Sequence, residues 1–297
     1  NLSMKFGDFT AVDSVNLNIK EGEIFGFLGS NGCGKTTTMK MLTGLLNPSS
    51  GTVKLFGKEL QKSSLDAKEF VGYMTQNFSL YSELSVYENL KLHAKLFHIK
   101  NQNQRLEYLL EKFSLKEYKN SFEKDLPLGI KQRLSLAVAV VHTPKMLILD
   151  EPTSGVDPVS RDNFWKLLVD LSRNENVTIF ISTHFMNEGE RCDRISLMHK
   201  GKIKKKKTPE DLIKQKNKDN LEDAFIAYIE DVLDESEKKE ITLETEDKNI
   251  EKNITQNSFF SLQRALSYSY KESLELLRDK VRLTFALLGT VILLFVM

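Results

Sequence analysis

Hydrophobic and polar positions alternate through the opening of the chain, then give way to an unbroken apolar run, Ile24–Leu28, that stops at a glycine-rich turn. That order predicts strand, loop and helix. Two more runs share this character, KMLILD at 145–150 and VTIFIS at 177–182. Strands that are apolar on both faces belong to a sheet covered on both sides, so a mainly parallel sheet in an α/β fold is expected. Val159–Leu171 has helical spacing, and Ser79–Glu123 is rich in Leu, Lys and Glu at helical periodicity. The latter separates two parts of the sheet pattern and predicts a helical subdomain over about 79–140.

After Gly201 the periodic signal weakens, although Thr208 followed by Pro209 is a good N-cap and first-turn pair. The expected organisation is a nucleotide-binding domain over 1–229, an acidic linker over 230–256, an amphipathic elbow helix over 257–282 and an apolar tail over 283–297. Leu262, Leu266, Tyr270, Leu274 and Val281 give the elbow its helical spacing. Leu283–Met297 carries no charge, yet a full membrane span needs about 20 such residues, so it is read as the start of a first transmembrane helix. Lys271, Arg278, Lys280 and Arg282 precede it, which places its near end on the cytosolic side. No internal repeat appears.

Composition narrows the picture little. A content of 40% hydrophobic residues in 297 supplies a core, and a net charge of +1 gives no reason to expect a nucleic-acid binder. Cys33 and Cys192 lack metal-ligand spacing and suit a reducing compartment, so both are expected to be free thiols. The chain opens on Asn1 with no signal-peptide core, and is expected to begin inside a longer protein.

The chemistry concentrates in a few short segments. Gly29–Thr36, GSNGCGKT, fits the phosphate-loop pattern between a buried strand and a helix. There the backbone amides of Gly29, Ser30, Asn31, Gly32, Cys33 and Gly34, continuing to Thr37, can cradle phosphates. Lys35 can charge-pair the β- and γ-phosphates of ATP, and the Thr36 hydroxyl can ligate Mg²⁺. Cys33 at a helix N-terminus is expected to favour the thiolate. Asp150 closes the KMLILD strand and reaches toward Mg²⁺, while Glu151 is the candidate to polarise the attacking water. His184 follows the VTIFIST strand and points toward the same end of the sheet, with a γ-phosphate contact as its sharper reading.

In order and spacing these motifs resemble an ABC-type ATPase across residues 2–229, which implies a P-loop NTPase fold and ATP hydrolysis. By that resemblance Gln76 in GYMTQ is similar to the glutamine that senses Mg²⁺ and the membrane domain. Ser154–Asp157 (SGVD) matches the D-loop, His184 the switch histidine, and Phe6 the aromatic that stacks on adenine. The segments LPLGIKQRLSLAVAVVHTPKMLILDEPTSGVDP and FISTHFMNEGERCDRISLMHKGK further resemble the second ATPase domain of the ribosome-associated ATPase-like group. In that group two ATPase domains precede an ABC-2-type permease. The tail resembles the elbow and first span of such a permease.

The resemblance implies several partners: a second ABC ATPase domain upstream in the same chain, an ABC-2-type permease, the lipid bilayer of the inner (cytoplasmic) membrane, and the ribosome. The ATPase domain would face the cytosol. One departure stands out. The family signature LSGGQ reads Leu126, Pro127, Leu128, Gly129, Ile130 here, so the serine and first glycine that bind the opposing domain's γ-phosphate are missing. Two functions stay open, a transport motor and a membrane-anchored ATPase acting on translation. A soluble nucleic-acid ATPase is disfavoured by the apolar tail, and Lys204–Lys207 reads as a solvated surface.

Overall fold

In the computed structural model, which describes residues 1–60, 69–76 and 79–230, the chain opens with an antiparallel hairpin of β1 (Leu2–Phe6) and β2 (Phe9–Val15). The apolar run becomes β3 (Ile24–Gly29), buried at every position, and α1 (Lys35–Leu42) follows the glycine-rich turn. A short hairpin, β4 (Lys54–Leu55) and β5 (Lys58–Glu59), precedes β6 (Val71–Met74).

Three helices come next: α2 (Val86–Leu96), α3 (Gln102–Lys112) and α4 (Leu128–Ala139). A reciprocal capping box starts α2, with the Ser85 side chain accepting from the Glu88 amide and Glu88 accepting from the Ser85 amide. Arg105 of α3 ties this group together by donating to the carbonyls of Val140 and Val141, just past α4.

The chain then alternates β7 (Met146–Asp150), α5 (Pro158–Glu175), β8 (Thr178–Thr183), a single turn α6 (Met186–Gly189) and β9 (Arg194–His199). It continues through β10 (Lys202–Lys207), α7 (Pro209–Lys216) and α8 (Leu221–Glu230). Thr208 caps α7 by accepting from the Asp211 amide, with Pro209 in the first turn.

One six-stranded sheet runs β10-β9-β3-β8-β7-β6, parallel except for β10, which pairs antiparallel with β9. Alternation along β3 divides the core. Ile24 and Leu28 join Ile179, Ile181, Leu147 and Leu149 under the helices α2–α5. Phe25 and Phe27 face the other way with Phe180 and Ile148, against Met39 and Met41 of α1. Because five strands run in parallel, their carboxyl ends share one edge. Gly29, Asp150, Thr183 and Met74 therefore end at the same side, where ligands of open α/β sheets bind.

These elements all belong to one unit, Asn1–Leu233. Among the described residues no helix is long and apolar enough to cross a membrane. The linker, elbow and first-span expectations for 230–297 fall almost wholly outside the described residues, which end at Glu230.

Candidate nucleotide site

Between β3 and α1 the chain turns through Gly32 at φ 77° and Gly34 at φ 107°, a region that side-chain-bearing residues rarely occupy. A Cβ on Gly34 would stand 2.5 Å from the Ala11 carbonyl, so the loop also lies too close to β2 for any larger residue. No side chain caps α1, and its first turn holds no acidic residue. The first-turn amides and the helix dipole are thus left to an outside anion.

Lys35 is buried at 4% exposure, and its ammonium folds back over the loop to donate to the carbonyls of Gly29 (2.8 Å) and Ser30 (3.1 Å). It also pairs with Glu151 Oε1 at 3.2 Å. Glu151 follows β7 with φ 46°, an unfavourable angle for a residue with a Cβ. What holds it there is Ser182 of β8, whose hydroxyl accepts from the Glu151 amide (3.0 Å) and donates to Asp150 Oδ1 (2.6 Å). The second carboxylate oxygen of Glu151 lies 3.1 Å from His184 Nδ1. The structure thus brings Lys35, Glu151 and His184, predicted from three distant segments, into one contact chain.

A cavity of about 350 Å³ opens at the Lys35–Glu151 end of this chain, and His184 is not among its walls. Its walls include Phe6, Asn31, Gly32, Gly34, Lys35, Thr36, Thr37, Gln76 and Glu151. Gly29, Ser30 and Cys33 belong to the same loop without forming the walls. Asp150 lies behind Glu151 and is buried. Two wall residues were not anticipated, Phe9 and Ala11. Phe9 pairs with Phe6 across the hairpin, and both rings are exposed, at 66% and 50%. The signal was present in the sequence as two aromatics flanking a Gly-Asp turn.

The model of the family described as "ABC transporter" matches residues 12–154. The probable multidrug ABC transporter ATP-binding protein YbhF of Escherichia coli is 46% identical over 237 residues, covering 77% of this chain and 41% of that protein. The bacitracin transport ATP-binding protein BcrA of Bacillus licheniformis is 38% identical over 223 residues, covering 75% of this chain and 72% of BcrA. The chain belongs to the ABC transporter ATP-binding family. It is an ABC-type ATPase domain, with the P-loop fold and mainly parallel sheet of that family.

Solved structures agree. The cbiO1 protein of Clostridium perfringens, part of the ABC transporter complex cbiONQ, matches with TM-score 0.67 and 31% identity over 72% of this chain and 89% of its own. A dimeric ATP-binding cassette in a post-hydrolysis state, bound to ADP and Pi, matches with TM-score 0.64 and 25% identity over 70% of this chain and 96% of its own. The ABC domain nevertheless spans well under half the length of YbhF.

One expectation for the ABC domain is overturned. Cys33 sits at the helix N-terminus, but its side chain is buried beneath the loop. Burial pushes the thiol pKa up and outweighs the lowering influence of Lys35. Position in the sequence identified the helix end but not the cover over the sulfur. Both Cys33 and Cys192 are free and buried.

The signature positions open α4 with an unusual start. Pro127 is the N-cap of α4 and makes no side-chain cap hydrogen bond. Leu128 projects at 40% exposure, with its Cδ2 only 3.7 Å from where a Cβ on Gly155 would stand. Gly129 is pressed against Ser160, whose Oγ would meet an added Cβ at 2.6 Å.

Proposed function

We propose that this domain binds ATP with Mg²⁺ in the Phe6–Lys35–Glu151 cavity and hydrolyses it to move an attached ABC-2-type permease. The observation that carries the reading is the buried Lys35–Glu151 contact at the foot of an uncapped, anion-ready loop. In this reading the loop amides from Gly29 to Thr37 and the Lys35 ammonium hold the phosphates. The ATP phosphate replaces Glu151 as the partner of Lys35. Glu151, released from that pair, accepts a proton from water aligned on the γ-phosphorus, and His184 stabilises the transferred phosphoryl oxygens. Phe6, with Phe9 beside it, stacks on the adenine ring.

Thr36, Asp150 and Gln76 would hold Mg²⁺. Their donors are all oxygens, a hydroxyl, a carboxylate and an amide carbonyl. Such a sparse, hard donor set suits an ion that takes its remaining ligands from phosphate and water. When bound, the ion offsets charge on the phosphate oxygens.

The wider reading keeps 1–229 as the ATP-binding domain with its helical subdomain near 79–140. The segments 230–256, 257–282 and 283–297 become linker, elbow and start of the first span at the inner membrane. YbhF and BcrA carry transport names, multidrug and bacitracin respectively, which favours a transport motor. The matched stretch is only 41% of YbhF, and this reading adds a second ATPase domain upstream in the same chain. Pro127 and Leu128 then make the two composite ATP sites unequal, because Pro127 has no amide proton to give.

The catalytic core of this reading is tested by Glu151→Gln. Retained MgATP binding with lost turnover is expected, while lost binding in a folded variant contradicts it.

A further inference from the structure

Beyond the residues facing the cavity, the most deeply buried acid among the described residues has no role in the scheme above. Glu188 lies in the single turn α6, at 1% exposure. Its Oε1 accepts from the Thr153 hydroxyl (2.5 Å), and its Oε2 accepts from the Thr183 hydroxyl (2.6 Å). Thr153 is two residues after Glu151, and Thr183 immediately precedes His184. The carboxylate therefore bridges the two segments that carry the reacting groups, one oxygen to each.

A second layer of contact points the same way. The Thr183 hydroxyl also accepts from the Phe185 amide (3.0 Å), fixing the turn after β8. Arg161 approaches Glu188 Oε1 to 3.6 Å, and its guanidinium lies 4.2 Å from the centre of the Phe185 ring. The Phe185 ring rests against His184 with centroids 4.1 Å apart. His184 is thus held between Phe185 and the Glu151 carboxylate, and Glu188 sits beneath both supports.

Burying a carboxylate is costly unless its oxygens are fully engaged, and an apolar side chain of similar size would pack this site at lower cost. What an apolar residue cannot do is bind two hydroxyls from two segments at once. We propose that Glu188 is a positioning residue for ATP hydrolysis, locking the Glu151 segment to the His184 segment. The inference rests on the catalytic reading given above. It assigns Glu188 no contact with nucleotide; its effect is transmitted through the placement of His184 against Glu151. Misplacement of a catalytic group by about 1 Å can cost on the order of a hundredfold in rate. A partial loosening through one lost hydroxyl contact corresponds to about tenfold.

The test uses Glu188→Gln in the intact protein, labelled with ¹³C-histidine, with steady-state ATPase measured in parallel. Gln keeps an acceptor oxygen at one position and puts an NH2 donor at the other, so one of the two hydroxyls loses its acceptor. The His184 resonance is expected to shift or split while those of His93 and His98 stay in place. Turnover should fall about tenfold at unchanged KM for MgATP. Thr153→Val and Thr183→Val remove one hydroxyl each without altering buried charge, and should produce the same signature if Glu188→Gln folds poorly. An unmoved His184 resonance in folded variants, or a loss confined to KM, overturns the proposal. If the substitutions move the His184 resonance but the unsubstituted protein never turns over ATP, the hydrolytic reading is contradicted and the positioning contact stands.

Discussion

Acidifying the solution should weaken this domain through one histidine outside the phosphate loop. His142 follows α4, and its ring lies face to face with Phe97, centroids 4.0 Å apart and planes 8° from parallel. Burial pushes its pKa from 6.5 down to about 4. The folded state therefore holds a neutral ring through a pH range in which the unfolded chain gains a proton. Stability from this group is complete above about pH 6.5 and is lost progressively as pH falls toward 4. Between pH 7.5 and pH 5 the full shift corresponds to about 2 kcal/mol. The ring keeps some access to solvent, which reduces the expected loss to about 1 kcal/mol. Urea unfolding of the wild type and of His142→Leu at both pH values measures it, because carboxylate titrations common to the two proteins cancel. The wild type should lose about 1 kcal/mol more than the variant on acidification. Equal losses would refute the burial argument.

Two further predictions concern the loop and the signature. Cys33, buried and with its thiol pKa raised, should react slowly with iodoacetamide at pH 7.5 in the absence of nucleotide, and rapid modification in the folded protein would show that the loop does not cover it. Restoring Pro127→Ser with Leu128→Gly should raise ATP turnover of the chain assayed alone by on the order of a hundredfold, since donors aimed at developing charge are worth that much. No gain in a folded, dimerising protein would contradict the unequal-site reading.

The sequence made the centre of the fold legible because its strands are apolar on both faces. Ile24–Leu28, KMLILD and VTIFIS read as covered strands between turn signals, and they became β3, β7 and β8. Turn and cap chemistry was equally readable at Gly29–Thr36 and at Thr208–Pro209. The lysine run told less. Lys202–Lys207 has no alternation, yet it forms β10 because Lys200 and Gly201, both at positive φ, fold it back on β9. At an edge strand such lysines also discourage pairing with other chains. At the site, Lys35, Glu151 and His184 were visible through motif and spacing, and Phe6 only through the family resemblance. Glu188 was not, since its meaning depends on Thr153 and Thr183 meeting across two strand ends. Cys33 was misread for a related reason, as spacing says which turn a side chain occupies and not what lies over it.

Phosphate release by Glu151→Gln, set beside equilibrium MgATP binding on the same preparation, tests the central claim most directly. Replacing the carboxylate removes the proton acceptor and also the internal partner of Lys35 3.2 Å away, leaving the ammonium freer to meet a phosphate. The account predicts affinity equal to or tighter than wild type, with release slower by about 10² to 10⁴-fold. Wild-type release rates in a folded Glu151→Gln protein, or affinity lost along with turnover, would contradict it.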